Sequence, residues 1–242
     1  MAVAEALRVP STLGSFDPRR RRVTYQIAMI ASDGMVLASD QKELISPSPQ
    51  SDNGCFAENR IRKISLNATG QLAWAYAGTE VAKHAAALFG RRMELGSRDC
   101  DLQTLLKNCG DEAAKNALAT QNDSVILIDA KTARILRMIP KTNCTEVEEI
   151  GDGICFAGQS SNQASFLPRR YYSQKLSVDK CVRLAAYAVK KSGEIDSLLI
   201  GGCDIAVYPN SHQKFEFMLD AEIQDIASRM DSEMRNVISN GD

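Results

Sequence analysis

Thr24-Tyr-Gln-Ile-Ala-Met-Ile-Ala-Ser-Asp-Gly-Met-Val-Leu-Ala-Ser-Asp40 is two apolar runs joined by one tight turn. Asp-Gly between apolar runs is a strong hairpin signal. Residues 24–31 therefore predict a strand, Ser32-Asp33-Gly34 the turn, and Met35–Ser39 the returning strand. A threonine opens the first strand and an aspartate follows the second, so antiparallel pairing can set them side by side. Lys63 stands at the head of a second expected hairpin, Arg62–Ala68 and Gln71–Ala77 around Thr69-Gly70. The segment between, 43–60, carries Pro47, Pro49, Gly54 and several serines and reads as a loop.

Further along, Thr79 can cap a helix through Val81, Ala85, Leu88 and Phe89 (79–95), and 102–119 repeats the helical spacing. Strands are expected at Ser124–Asp129 and Arg134–Ile139, with another pair at 143–149 and 153–157. A second helix pair is expected at Ser161–Gln174 and Val178–Lys191, the latter capped by Ser177 with Asp179 in its first turn. Late strands at Ser197–Ile200 and Asp204–Tyr208 flank Gly201-Gly202, and a helix from Asp220 to Ile238 closes the chain. Hairpins, helix pair, strands, helix pair, strands is the order of a layered α+β domain.

The chain has 242 residues, 44% hydrophobic and 24% charged, with net charge −1. This is the balance of a soluble globular protein, and it offers no global electrostatic case for nucleic acid or an anionic membrane. No apolar run approaches the ~18 residues of a membrane span. Seven scattered cysteines, no Cys-x-x-Cys pair and only His84 and His212 argue against a metal site. Small buried hydrophobes in a reducing cytoplasm is the reading for those cysteines. Residues 1–22, with two prolines, Gly14 and the run Arg19–Arg22, lack a secretory apolar region and read as a disordered leader or arm.

Thr24, Asp40 and Lys63 together suit hydrolysis. A free N-terminal threonine supplies both a nucleophile and, through an α-amine of pKa about 7.7–8.0, a general base near working pH. A lysine ammonium beside it lowers the amine's pKa and polarises the hydroxyl, and a carboxylate holds the lysine charged. Gly78, between the second hairpin and a helix N-terminus, can offer its N–H to an oxyanion.

At these positions the chain resembles the proteasome β-subunit family of N-terminal nucleophile (threonine) hydrolases, from Thr24 to about Val207. The carriers are Thr24 opening its strand, the stretch 33–40, Arg-Lys-Ile at 62–64 and Ala-Gly at 77–78. Ala-Gly at 157–158, Asp-Ser at 196–197, Gly-Gly at 201–202 and Asp-Ile-Ala-Val at 204–207 continue it. The resemblance implies a four-layer αββα sandwich in residues 24–242 that stacks into rings and encloses its active sites. It places nucleophile and base on Thr24, the supporting acid on Asp40, the electrostatic lysine on Lys63 and oxyanion donation on Gly78. Asp196 takes the place of an aspartate that orders the N-terminus. No cofactor or metal is implied. The implied partners are further copies of the chain, polypeptide substrates and an ATPase or unfoldase, without nucleic acid or membrane.

The chain departs from the family pattern in places. Gln159 stands where active relatives have a serine, and Leu199 or Ile200 where another is expected. Val23, not glycine, precedes Thr24, and its β-branched bulk disfavours the tight turn of self-cleavage. Tyr76 would narrow a specificity pocket. Three functions remain open on the sequence: a threonine peptidase, a non-catalytic ring-forming scaffold, and an amidase-like N-terminal hydrolase. Val23-Thr24-Tyr25 looks like the Met-Thr-Tyr start of bacterial Anbu-type proteasome homologues. Valine codons include GTG, so residues 1–22 are expected to be a cleaved leader or an over-extended reading frame, with a retained arm as the alternative.

Overall fold

Tyr25–Ala31 (β1) and Gly34–Ser39 (β2) pair in antiparallel register from Gln26↔Ser39 to Ala31↔Gly34, around the expected turn. The computed structural model describes residues 24–45, 57–96, 101–115, 119–141, 144–158, 163–197 and 200–239. All of β2, and all of β1 except Ile30, is buried. Both strands are covered on both faces, which is why they read as continuous apolar runs without alternation.

These strands are central in a five-stranded sheet completed by Ile154–Gly158 (β10), Asp204–Pro209 (β11) and Glu216–Phe217 (β12), in the order β10-β1-β2-β11-β12. A second five-stranded sheet runs in chain order through Ile64–Leu66 (β5), Leu72–Ala77 (β6), Ser124–Asp129 (β7), Arg134–Ile139 (β8) and Glu146–Glu149 (β9). Helices Glu80–Glu94 (α1) and Leu102–Ala114 (α2) follow β6; Phe166–Tyr171 (α3) and Val178–Ile195 (α4) follow β10; Asp220–Ser239 (α5) closes the chain. The fold is mixed α+β.

Three apolar clusters divide the interior. Ile27, Met29, Val36 and Ile205 of the first sheet pack on Val182, Ala185 and Val189 of α4 and Ile223 of α5. The alternate residues Ala28, Leu37 and Ala206 meet Ile64, Ala73, Ala75 and Ile126 of the second sheet. Leu72, Trp74, Leu127 and Leu136 then meet Phe89 of α1 and Leu106 of α2, with Trp74 and Phe89 edge to face at 5.3 Å. The period-two alternation of β1, β2 and β6 thus serves two different cores at once.

Several expectations are corrected. The 43–60 loop is bounded by Lys42–Ile45 (β3) and Ala57–Arg60 (β4), which pair with each other in register Lys42↔Arg60. Residues 46–56, with the prolines and Gly54, lie outside the described residues. The segments expected as a pair at 143–149 and 153–157 are strands of different sheets. Acidic β9 lies beside β8, where Glu148 and Glu149 meet Arg137 and Arg134, while apolar β10 lies beside β1. The 161–174 helix is only α3, preceded by a 3-10 turn at Gln163–Ser165. It stops where Tyr172 turns its hydroxyl inward to the Ile30 and Gly153 carbonyls, both at 2.7 Å. Ser197 lies in a turn and Ile200 in no regular element, and residues 198–199, between them, lie outside the described residues.

The cap of α4 is also supplied from elsewhere. Ser177 stands at the N-cap without a side-chain bond, and Asp33 Oδ1 from the β1–β2 turn accepts from Val178 N at 2.7 Å. Asp33→Ala is therefore expected to lower stability by about 1 kcal/mol, whereas Ser177→Ala costs much less. Chemical denaturation of the two variants checks this, and equal losses would return the cap to Ser177.

Candidate active site

Strand pairing assembles the site. Asp40 follows β2, and its backbone N–H donates to the Tyr25 carbonyl at 3.1 Å, extending the hairpin ladder to the head of β1. The Asp40 carboxylate then turns toward β1, where Oδ1 accepts from Tyr25 N at 3.0 Å, while Oδ2 accepts from Lys42 N at the start of β3 at 3.1 Å. Lys63, just before β5, reaches across from the second sheet. Its Nζ donates to Asp40 Oδ2 at 2.9 Å and to Thr24 Oγ1 at 3.0 Å. Thr24 and Lys63 are each 4% exposed and Asp40 is fully buried. Three residues that are 16 and 23 positions apart in sequence thus meet in one hydrogen-bonded set.

Burial pushes Lys63 below the usual lysine range, opposed by the charge and hydrogen bond of Asp40, then by the charges of Glu43 and Asp204. Burial likewise pushes Asp40 upward, opposed by Lys63 and by the two backbone donors. In its ammonium form Lys63 polarises the Thr24 hydroxyl and favours the alkoxide over the alcohol. That is the chemistry of an activated oxygen nucleophile.

One glycine packs directly against Thr24. Gly158 of β10 lies opposite Tyr25 with φ +73°, and a Cβ there would overlap the Thr24 carbonyl group. Gly78, φ +106°, lies between β6 and α1 and packs on Asp123. Asp123 is fully buried and accepts from the backbone of Thr79 at 2.5 Å and of Thr120 at 2.6 Å. Gly78 thus sits on a rigid connection directly before the α1 N-terminus. The Asp196 carboxylate, at the C-cap of α4, is half-buried. No hydrogen bond among the described residues links Gly78 or Asp196 to Thr24. Gln159 and Leu199 lie outside the described residues, and Ile200 is buried. Tyr76, the expected pocket wall, is half-buried, and its carbonyl accepts from Gln26 Nε2 at 2.6 Å.

The surroundings hold residues that sequence reasoning passed over. Tyr25, next to the threonine, is fully buried, and its hydroxyl is 3.0 Å from Ser165 Oγ; burial pushes its pKa up to about 12. Lys42 Nζ donates to the Ser197 carbonyl at 2.8 Å, tying β3 to the segment that begins at Asp196. Gln41, Arg62 and Asp204 form a polar group on the far side of Asp40. Asp204 was visible only as part of an Asp-Ile-Ala-Val strand, since a single carboxylate at a strand end carries no signal of its neighbours. Among the described residues no group of three or more His, Cys, Asp or Glu can hold a metal ion. Cys109, Cys155, Cys181 and Cys203 are buried as expected, but Cys144 is exposed.

A mixed α+β fold with threonine, aspartate and lysine joined at the head of its first strand is a proteasome-like fold. Among solved structures the chain is similar to Anbu, the ancestral β-subunit, from Yersinia bercovieri. That match has a TM-score of 0.69 and 18% identity over 89% of this chain and 97% of the other. Anbu from Hyphomicrobium sp. strain MC1 matches with a TM-score of 0.67 and 13% identity over 90% of this chain and 98% of the other. The helical assembly of the Anbu complex from Pseudomonas aeruginosa matches with 0.67 and 16% over 89% and 96%. No family model and no curated protein matches the sequence. Among the described residues no helix is long and apolar enough to cross a membrane.

Proposed function

We propose that the chain is an N-terminal threonine peptidase subunit of a self-assembling, proteasome-like particle. The observation that carries this reading is Lys63 Nζ, buried between Asp40 Oδ2 and Thr24 Oγ1 at 2.9 and 3.0 Å. A buried lysine is costly and has no packing task that an apolar side chain would not perform better. Aimed at a threonine hydroxyl at a strand head, it is explained by activation of that hydroxyl. The three apolar clusters support a four-layer αββα arrangement, and the domain is assigned to 24–242, with 1–23 as a leader or arm.

In this mechanism residues 1–23 are absent and Thr24 carries a free α-amine. The amine takes the hydroxyl proton as Oγ1 attacks a peptide carbonyl. The Gly78 N–H donates to the resulting oxyanion, and Asp196 helps to order the amine. The protonated amine then gives its proton to the departing peptide amine, leaving an ester on Thr24. Water, activated by the same amine, cleaves that ester and restores the threonine. Activity rises with pH as the amine loses its proton. It falls again as Lys63 loses its own, at a pH below the usual lysine range. The profile is bell-shaped.

While residues 1–23 are attached, the Thr24 nitrogen is an amide and is no base. A chain beginning at Thr24 is therefore expected to hydrolyse fluorogenic peptides. The full-length chain and a Thr24→Ala form of the shortened one are expected not to. N-terminal sequencing of protein from its native source should recover Thr-Tyr-Gln-Ile. Recovery of Ala-Val-Ala-Glu, together with an inactive shortened chain, would withdraw the peptidase in favour of the scaffold. The helical assembly formed by the similar Pseudomonas aeruginosa protein supports self-association, with polypeptide substrates delivered by an ATPase or unfoldase. Light scattering that finds only monomer at micromolar concentration counts against the assembly.

A further inference from the structure

Asp204 is a buried charge to which the proposed mechanism gives no task. It begins β11 directly opposite Ser39, one residue from Asp40 on the neighbouring strand. Its side chain is 3% exposed. Oδ1 accepts from Gln41 Nε2 at 3.0 Å and lies 3.5 Å from Arg62 Nε. Oδ2 is buried without a hydrogen-bond partner among the described residues. An ionised carboxylate withdrawn from water with one oxygen unbonded is unfavourable. Packing does not call for it, since Ala206 and Tyr208, which share its face of β11, are apolar and buried in the core between the sheets. What it does contact are the two residues that adjoin the site, Gln41 after Asp40 and Arg62 before Lys63.

Charges reach Lys63 from every side. Asp40 after β2 bonds it directly. Glu43 of β3 is committed to Lys83 of α1 at 2.9 Å. Lys42 sends its ammonium to the Ser197 carbonyl. Arg62, on Lys63's own segment, stacks 4.0 Å over the Phe217 ring of β12 and faces Asp204.

We propose that Asp204 is a positioning residue for the Lys63–Thr24 pair. Its carboxylate anchors the Gln41 and Arg62 segments on either side of the Asp40–Lys63 contact, and supplies a further negative charge, beside those of Asp40 and Glu43, that keeps the lysine an ammonium. The inference rests on the role given to Lys63 under the peptidase reading. The charge of Asp204 does raise the proton affinity of Lys63, after the larger effects of Asp40 and Glu43. Asp204 touches neither Thr24 nor a substrate in this arrangement, so it acts only through Lys63.

The test titrates Lys63 in the full-length chain, by the NMR shift of its Cε in lysine-labelled protein. Asp204→Asn keeps the shape and removes the charge. It is expected to move the Lys63 midpoint to lower pH by roughly half a unit to one unit. Arg62→Gln removes a like charge from Lys63 and frees Asp204 of its counter-charge, so it is expected to move the midpoint upward. A merely structural Asp204 would lower the melting temperature of the Asn variant and leave the midpoint fixed, which would overturn the proposal. Should Asp204→Asn fail to fold, Arg62→Gln decides alone, because its side chain is 54% exposed and the change is tolerable at a surface. An unmoved midpoint there overturns the proposal too. Turnover is not read in this experiment, so an inactive chain removes the peptidase reading without altering the outcome for Asp204.

Discussion

Lys63→Ala, in a chain that begins at Thr24, is expected to lose roughly two to three orders of magnitude in peptide hydrolysis. The alanine methyl can neither donate to Thr24 Oγ1 nor depress the amine's pKa. The same change is expected to cost stability, because Asp40 is fully buried and Lys63 is its one ionic contact among the described residues. Removing one partner of a buried pair typically costs about 3–5 kcal/mol. Here the Tyr25 and Lys42 N–H donors remain, which favours the lower end. The loss has a pH signature. Without Lys63 the raised folded-state pKa of Asp40 rises further above its unfolded value, so the folded chain holds the proton more tightly. The variant's deficit is then smallest below the unfolded carboxylate pKa of about 4 and reaches its full size above the folded one. Urea denaturation at acid and neutral pH measures this difference. A pH-independent deficit with unchanged hydrolysis would remove both Lys63 and Asp40 from the site.

Gly158→Ala is expected to damage the site with no change of charge. The residue has φ +73°, where an L side chain costs about 1–2 kcal/mol. The added methyl would overlap the Thr24 carbonyl oxygen and come within 2.7 Å of its carbon. Neither group can yield cheaply, since Tyr25↔Gly158 is the first pair of the β1–β10 ladder and the next residues of both strands are buried. The displacement falls on Thr24, whose hydroxyl must stay within reach of Lys63. Hydrolysis should fall at least roughly tenfold for a misplacement of this kind, with a lowered melting temperature. Wild-type hydrolysis with an unchanged melting temperature would show that β10 does not set the position of Thr24.

Much of this was legible in the residues. Asp33-Gly34 between apolar runs marked the β1–β2 hairpin, and with it the approach of Asp40 to β1, because a two-strand ladder of known register is a local consequence of its turn. Strands at 124–129 and 134–139 match their expected bounds for the same reason. The errors fall where partners are distant. Adjacency in sequence alone pairs β9 with β10. Their composition decides otherwise: Glu146–Glu149 suits a solvated edge facing Arg134 and Arg137, and Ile154–Gly158 suits a buried place beside β1. Local rules favour Ser177 as the cap, yet Asp33, 145 positions before Val178, accepts the bond from the Val178 N–H.

The sequence by itself determined the strand that carries Thr24, the hairpin that returns to Asp40, and the residue types on which activation of a hydroxyl depends. These rest on turn chemistry and periodicity, which act over a few residues. Only the tertiary structure decided that Lys63 crosses between two sheets to reach both Thr24 and Asp40. It also decided that Gly158 must lack a side chain and that Asp204 stands buried behind the pair. Such contacts depend on how two sheets stack through the small residues Ala28, Ala73, Ala75 and Ala206, and on the low dielectric that stacking creates around charges. No local pattern encodes that depth, because burial of a charge is a property of everything packed around it.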